Sequence, residues 1–356
     1  MIFIIVCFSG CKRTINDNSI IKNFKFSYSI AGKEMTLTTD ILFPKIMLLL
    51  TDTAIAVTEK RDEYTLRILK TGIDSIYLAD KLGRIGQGPG DMISSINSIQ
   101  KDNHNLIEGI WLADIQSMKF FRYKPNSYIL ENNPVDVKKM SSQVFPCNKS
   151  FMLKNSDMLG ISSSINNQIF IYSGENNALQ GYDFYPIYPN PYDYLVSKTV
   201  YSAYLGLKPD KSHFVLAYQW FQSLCIVSLD KLSEPVYIKF KDTPFPQFNS
   251  TDQRANIEII KNLPLQYINL YTTDNHIYVL YAGKKGDELE VHSREALSKG
   301  VSIHVFNWDG TALCMLNLDR IINCFCVDEK NKIIYGIDPT GENNSILYKF
   351  DIPEFK

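Results

Sequence analysis

Short apolar runs alternate with clusters of Asn, Asp, Gly and Lys along most of this chain, the signature of strands separated by turns. Ile169-Phe170-Ile171-Tyr172 runs into Ser173-Gly174-Glu175-Asn176-Asn177, and Ile277-Tyr278-Val279-Leu280-Tyr281 into Ala282-Gly283-Lys284-Lys285-Gly286. Leu224 to Leu229 is followed by Asp230-Lys231, and Ile333 to Ile337 follows the turn Asp328 to Lys332. Helical periodicity is confined to Asp252–Asn262 and Glu288–Leu297, which read as excursions between strands. So many strands in one open sheet would leave long edges and twist apart. Radial repetition of four-stranded blades solves this. The chain divides into blades over 41–82, 92–133, 146–185, 198–241, 264–318 and 319–350, a spacing of roughly 40–50 residues that suits propeller repeats. The last segment holds three strands, near 322–327, 333–338 and 346–350. The fold class expected is therefore all-β, a six-bladed β-propeller. Its ring is closed by an N-terminal strand, Phe24 to Ile30, pairing in the last blade.

His276 to Lys285, the polar insertion after it, and Ile303-His304-Val305-Phe306-Asn307-Trp308-Asp309-Gly310-Thr311 form one motif. Asn307 to Gly310 reads as a hairpin turn in which Gly310 supplies a positive φ. With Gly83-Arg84-Ile85-Gly86-Gln87-Gly88-Pro89-Gly90-Asp91, it resembles the TolB-like six-bladed β-propeller lipoproteins of Gram-negative bacteria. Leu207-Lys208-Pro209-Asp210-Lys211 resembles their Pro-Asp-Gly blade turn, with Lys211 in place of the glycine. The resemblance spans most of residues 40–350 and informs architecture more than activity.

At the other end, Phe8-Ser9-Gly10-Cys11 follows an apolar stretch and resembles the lipobox of bacterial lipoproteins. The resemblance implies residues 1–10 as a signal peptide and lipidation at Cys11. Residues 11–23 then form a polar tether and 24–356 a single propeller domain. It further implies an outer-membrane-anchored lipoprotein on the periplasmic or cell-surface face, with the membrane as one partner.

Composition narrows the rest. The chain has 356 residues, 45% of them hydrophobic, and a formal net charge of −1. That describes a folded body with no electrostatic drive toward nucleic acid. Beyond Cys7 and Cys11, five cysteines remain: Cys147, Cys225, Cys314, Cys324 and Cys326. Cys324 and Cys326 share one face of a strand. Cys314 lies on the preceding strand, so pairing with one of them and plain buried thiols both stay open. The five histidines are scattered and there is no C-x-x-C, so no metal and no cofactor is expected.

Two segments stand out as surfaces. Gly83 to Asp91 is the densest glycine cluster. Pro89 and Asp91 spoil a phosphate cradle, which leaves a crossing between blades, or a surface where Arg84, Gln87 and Asp91 contact a ligand or partner. Gly181 to Leu195 gathers five tyrosines and three prolines. Tyr185, Tyr188 and Tyr192 there are candidate contacts for a glycan or a partner protein, against the alternative of a loop tucked over a blade edge. Trp111, Trp220 and Trp308 read as packing residues. No catalytic residue is assigned, because no nucleophile elbow or His/Asp/Ser arrangement has recognisable spacing. The functional expectation is a lipid-anchored binding or scaffold protein of the cell envelope. The alternative is an envelope enzyme acting on carbohydrate or peptide at a channel-mouth site.

Overall fold

The computed structural model describes residues 20–21, 24–59, 63–88, 90–93, 96–102, 109–124, 134–162, 165–185, 198, 200–240, 265–284, 300–338 and 345–355. The fold is all-β with a propeller-like arrangement of four-stranded antiparallel units. Unit 1 comprises Met47–Thr51, Ala54–Thr58, Tyr64–Thr71 and Ser75–Arg84. Unit 2 comprises Ser98–Lys101, Ile110–Asp114, Lys119–Tyr123 and Asp136–Lys139. Unit 3 comprises Cys147–Met152, Met158–Ser162, Ile169–Ser173 and Ala178–Tyr182. Unit 4 comprises Ala203–Leu207, His213–Tyr218, Ser223–Ser228 and Val236–Phe240. Unit 5 comprises Leu265–Thr272, His276–Lys284, Gly300–Asn307 and Ala312–Ile322. Unit 6 comprises Cys324–Asp328, Ile333–Asp338 and Ile346–Asp351, completed by Gly32–Leu37 from the other end of the chain.

The strand that completes unit 6 is not the one expected. Phe26–Ile30 pairs in parallel with Ala312–Ile322 on the outside of unit 5. The next strand, Gly32–Leu37, pairs antiparallel with the last strand of unit 6 through Gly32 to Met35. Thr36 and Leu37 then pair in parallel with Ser75 and Ile76 of unit 1. Gly32–Leu37 hides its strand character because it alternates only weakly, with Met35 as its one fully buried side chain. The second unit also runs further than expected, since its outer strand is Asp136–Lys139. Both helical excursions, 252–262 and 288–297, lie outside the described residues.

Hydrophobic clusters sit between successive units. Leu50, Leu66, Ile99 and Leu112 join units 1 and 2. Trp111, Phe120, Met152 and Phe170 join units 2 and 3. The largest cluster spans units 3 to 6, and another joins unit 6 to unit 1 through Cys324, Cys326, Ile337, Met47 and Ile55. Inner strands are therefore buried on both faces, which explains their continuous apolar runs. In Cys324–Asp328, Cys324 and Cys326 face the unit 1 side while Phe325 and Val327 face the larger cluster. Cys314 belongs to that larger cluster. All five described cysteines are free and buried, and burial pushes the Cys147 thiol up to about 11. The Asn307–Gly310 turn forms as expected: Gly310 N donates to Asn307 O at 3.0 Å and Gly310 has φ +91°. Trp111 and Trp220 are buried in the core, and Trp308 packs against the cluster between units 4 and 5.

Candidate functional site

The first strands of all the units converge on one cavity of about 330 Å³. Its wall is built from 46–49 and Asp52 of unit 1, 98–101 of unit 2, and Lys149 and Phe151 of unit 3. Leu205 to Pro209 and Lys211 of unit 4, Leu270 to Asn275 of unit 5, and Val327 to Lys330 of unit 6 complete it. It opens where first strands turn into second strands, at Asp52, Lys208 to Lys211, Asp274 and Lys330. The volume falls within the range of small-ligand sites. Tyr271 reaches across it: the Leu49 backbone N–H of unit 1 donates to the Tyr271 hydroxyl of unit 5 at 3.3 Å.

Charge is divided unevenly around this wall. Lys330 is ion-paired with Asp52, and Lys208 Nζ lies 2.8 Å from Asp210. Asp210 is only partly buried. Burial raises its carboxyl, but hydrogen bonds from Lys208 and Ser212 outweigh this and hold it down at about 2. Asp328 is 2% exposed and accepts from the backbone and side-chain N–H groups of Asn331 at 3.0 and 2.8 Å. Glu329 accepts from Thr273 Oγ1 at 2.7 Å, Asn275 Nδ2 at 2.8 Å and Tyr278 Oη at 3.0 Å, and its Oε1 lies 2.6 Å from His276 Nδ1. Burial alone would raise the Glu329 carboxyl, yet these donors, His276 first, hold it below its ordinary value. Glu329 is thus an ionised clamp joining the turns of units 5 and 6 rather than a proton donor.

The lysines of units 2, 3 and 4 differ. Burial lowers Lys101, opposed by the charges of Asp274, Asp328 and Asp52. Burial also lowers Lys211, with Lys138 and Lys154 acting in the same direction and Asp102 against them. Lys149 is pushed down to about 8 by burial, with no opposing charge among the described residues. Its Nζ sits 5.3 Å from the centre of the Phe151 ring, a cation–π contact rather than an ion pair. A register shift between Cys147 and Lys149 in the first strand of unit 3 re-aims the side chain, as bulges do. Lys149 and Phe151 consequently share the cavity face while Cys147 turns into the cluster between units 2 and 3. Lys211 has φ +60°, a left-handed conformation that costs a lysine roughly 1–2 kcal/mol relative to glycine. That Lys rather than Gly stands there places another ammonium on the cavity wall.

The residues singled out from the sequence lie elsewhere. Within antiparallel units, the connection from an outer strand to the next inner strand falls at the end opposite this opening. Gly83 to Gly88 belongs to such a connection, and Gly181 to Tyr185 leads out of the outer strand of unit 3 at the same end. Gly83 has φ +68°, and a Cβ there would meet Thr65 Oγ1 at 2.5 Å, so the crossing needs glycine. Asp91 Oδ2 accepts from Gly88 N at 2.8 Å, Arg84 Nε lies 3.3 Å from Glu63 on the surface, and Gln87 is exposed. The Tyr185 ring is half-buried against Tyr201, centroids 4.8 Å apart. Tyr188 and Tyr192 lie outside the described residues, as does Cys11. None of the described candidates lines the cavity. Among the described residues, no group of three or more His, Cys, Asp or Glu side chains is placed to hold a metal ion. The lysine wall escaped sequence reading because its members come from separate units. The usable signals were Lys211 at a glycine position and a lysine beside Phe151 in an inner strand.

The profile of the TolB-like 6-blade propeller-like family matches residues 74–330. A Bacteroides vulgatus protein of the DUF4221 family superposes with TM-score 0.61 at 11% identity, covering 92% of this chain and 98% of its own. A "putative exported protein" from Bacteroides fragilis superposes with TM-score 0.57 at 11% identity, covering 94% and 100%. At that identity the likeness shows the fold alone. No curated protein matches the sequence.

Proposed function

The chain belongs to the TolB-like 6-blade propeller-like family, and from that premise we propose that it is a lipid-anchored ligand-binding propeller of the cell envelope. The cavity at the ends of the inner strands is its binding site. The observation that carries this reading is the convergence of the first strand of every unit on that one cavity. The units form a six-bladed ring, closed where Gly32–Leu37 pairs with unit 6 and with unit 1. Binding is favoured over catalysis because three carboxylates of the wall are held by protein donors: Asp52 by Lys330, Asp328 by Asn331, and Glu329 by the unit 5 turn. The exported description of the B. fragilis neighbour supports an envelope location.

Two experiments test this reading. In a glycan and peptide binding screen, the wild type is expected to retain ligands that Leu48→Trp loses. That substitution fills the cavity from unit 1, where Leu48 lines the wall. Unchanged binding by a folded Leu48→Trp protein would place the site elsewhere. Expressed in a Gram-negative host, the chain is expected to incorporate labelled palmitate and sediment with membranes, and Cys11→Ala to do neither. Palmitate label that survives the substitution would remove Cys11 as the anchor.

A further inference from the structure

The charge pattern of the cavity narrows what it holds. Lys330 and Lys208 are neutralised by Asp52 and Asp210. Lys101 is opposed by three carboxylates across the opening, and Lys211 by Asp102. Among the described residues, Lys149 meets no opposing charge, has the Phe151 ring beside its ammonium, and lies on the cavity wall. Lys149 is partly buried, partial burial of an ammonium without a counter-ion is costly, and a bulge aims it inward. Among the described residues no arginine lines the cavity, so they offer no planar bidentate fork of the kind that suits phosphate. One uncompensated point charge matches one negative charge. The apolar part of a ligand has Phe151, Leu205, Leu207 and Leu270 to rest on.

Resting on the cavity as the binding site, we infer that its ligand is a compact molecule carrying a single carboxylate, with Lys149 as the counter-ion. A bound carboxylate supplies an opposing charge where the described residues place none. Because burial pushes the Lys149 ammonium down to about 8, binding of an anion also draws a proton onto it at alkaline pH. Affinity then weakens as pH rises through that value.

Calorimetric titration of the purified chain with matched probes tests this. One pair is D-galacturonate and D-galactose; the other is N-acetyl-diglycine and its amide. The expected result is that at least one acid binds and its neutral twin binds at least about tenfold more weakly, a difference on the scale of one charge-assisted contact. Lys149→Met is expected to erase that preference with the fold intact, and Lys149→Arg, which keeps the charge, to retain it. Wild-type affinity for the acid should fall by about tenfold between pH 7 and 9, following the loss of the ammonium. Which pair responds distinguishes a sugar acid from a peptide carboxylate. Equal affinity for acid and neutral twin, a preference that survives Lys149→Met, or no binding by either acid overturns the inference. If acid and twin bind equally and Leu48→Trp abolishes both, the cavity stands as the site and only the carboxylate fails. A preference untouched by Leu48→Trp would move the site away from the cavity altogether.

Discussion

A variant lacking residues 24–37 is expected to be insoluble, or to melt about 10 °C or more below the wild type. This segment runs along the outer edges of consecutive units. Phe24 packs against Phe240 of unit 4 and Phe306 of unit 5, with ring centroids 5.1 and 5.4 Å apart. Phe26–Ile30 adds a parallel strand to unit 5, and Gly32 N donates to Asp319 Oδ1 at 2.7 Å. Gly32–Leu37 then gives unit 6 its fourth strand and reaches unit 1, where Thr36 N and Thr38 N donate to Asp74 O and Ile76 O at 3.1 Å each. Ile30 and Met35 are buried, while Phe24, Phe26 and Tyr28 are half-buried. Together these side chains contribute roughly 6–10 kcal/mol before the entropy of ordering the segment is subtracted. That is comparable with the whole net stability of a typical fold, about 5–15 kcal/mol. The loss also bares the ladder edge of unit 6, a template for aggregation. Thermal melting checks the effect, and the synthetic peptide 24–37 added in trans should restore part of it. An unchanged melting temperature would show that the segment is only a linker.

Arg67→Met is expected to destabilise the protein by about 3–5 kcal/mol. The Glu59 side chain is fully buried and ion-paired with Arg67, whose side chain is 9% exposed. Glu59 Oε1 also accepts from Leu42 N at 2.9 Å, and Arg67 Nη1 donates to Thr39 Oγ1 at 3.0 Å. The pair therefore pins the segment between Gly32–Leu37 and unit 1 onto the second and third strands of that unit. Removing the guanidinium strands a carboxylate in the core, and that stranding dominates the cost. Glu59→Gln combined with Arg67→Met should consequently recover much of the loss, because an amide is far cheaper to bury than an anion. Chemical denaturation of both variants checks this. A double variant as unstable as the single one would mean that packing of the Arg67 stem, not the unpaired charge, carries the effect.

How much of this could be read from the chain follows from the range of the interactions involved. Inner strands such as Cys324–Asp328 and Ile110–Asp114 are buried along their whole length, so they stand out as apolar runs bounded by turns. The turn at Asn307 to Gly310 is settled within a few residues, by the positive φ of Gly310 and the short hydrogen bond across it. Local features of that kind determine the all-β class, the repeat spacing and the family likeness. The outer strand Gly32–Leu37 is different. It is half in water, its polar residues resemble those of a loop, and its partner Ile346–Asp351 lies at the far end of the chain. Alternation favoured Phe26–Ile30 for the same role, and only pairing energetics across the molecule placed that strand on unit 5 instead.

The cavity was illegible for the same reason, more severely. Tyrosines and glycines cluster in sequence at the connections between units, and clustering drew the candidate sites there. A propeller assembles its central wall from one short stretch per blade, so Asp52, Lys101, Lys149, Lys211, Asp274 and Glu329 are neighbours in space alone. In the sequence Lys149 is one polar residue in a strand, indistinguishable from a solvated one. Its meaning depends on how much water and how many carboxylates surround its ammonium, and both are set by strands from other units. Local backbone preference and hydrophobic alternation thus determined which segments become blades. Tertiary packing decided which end of those blades holds the cavity and which charges meet there.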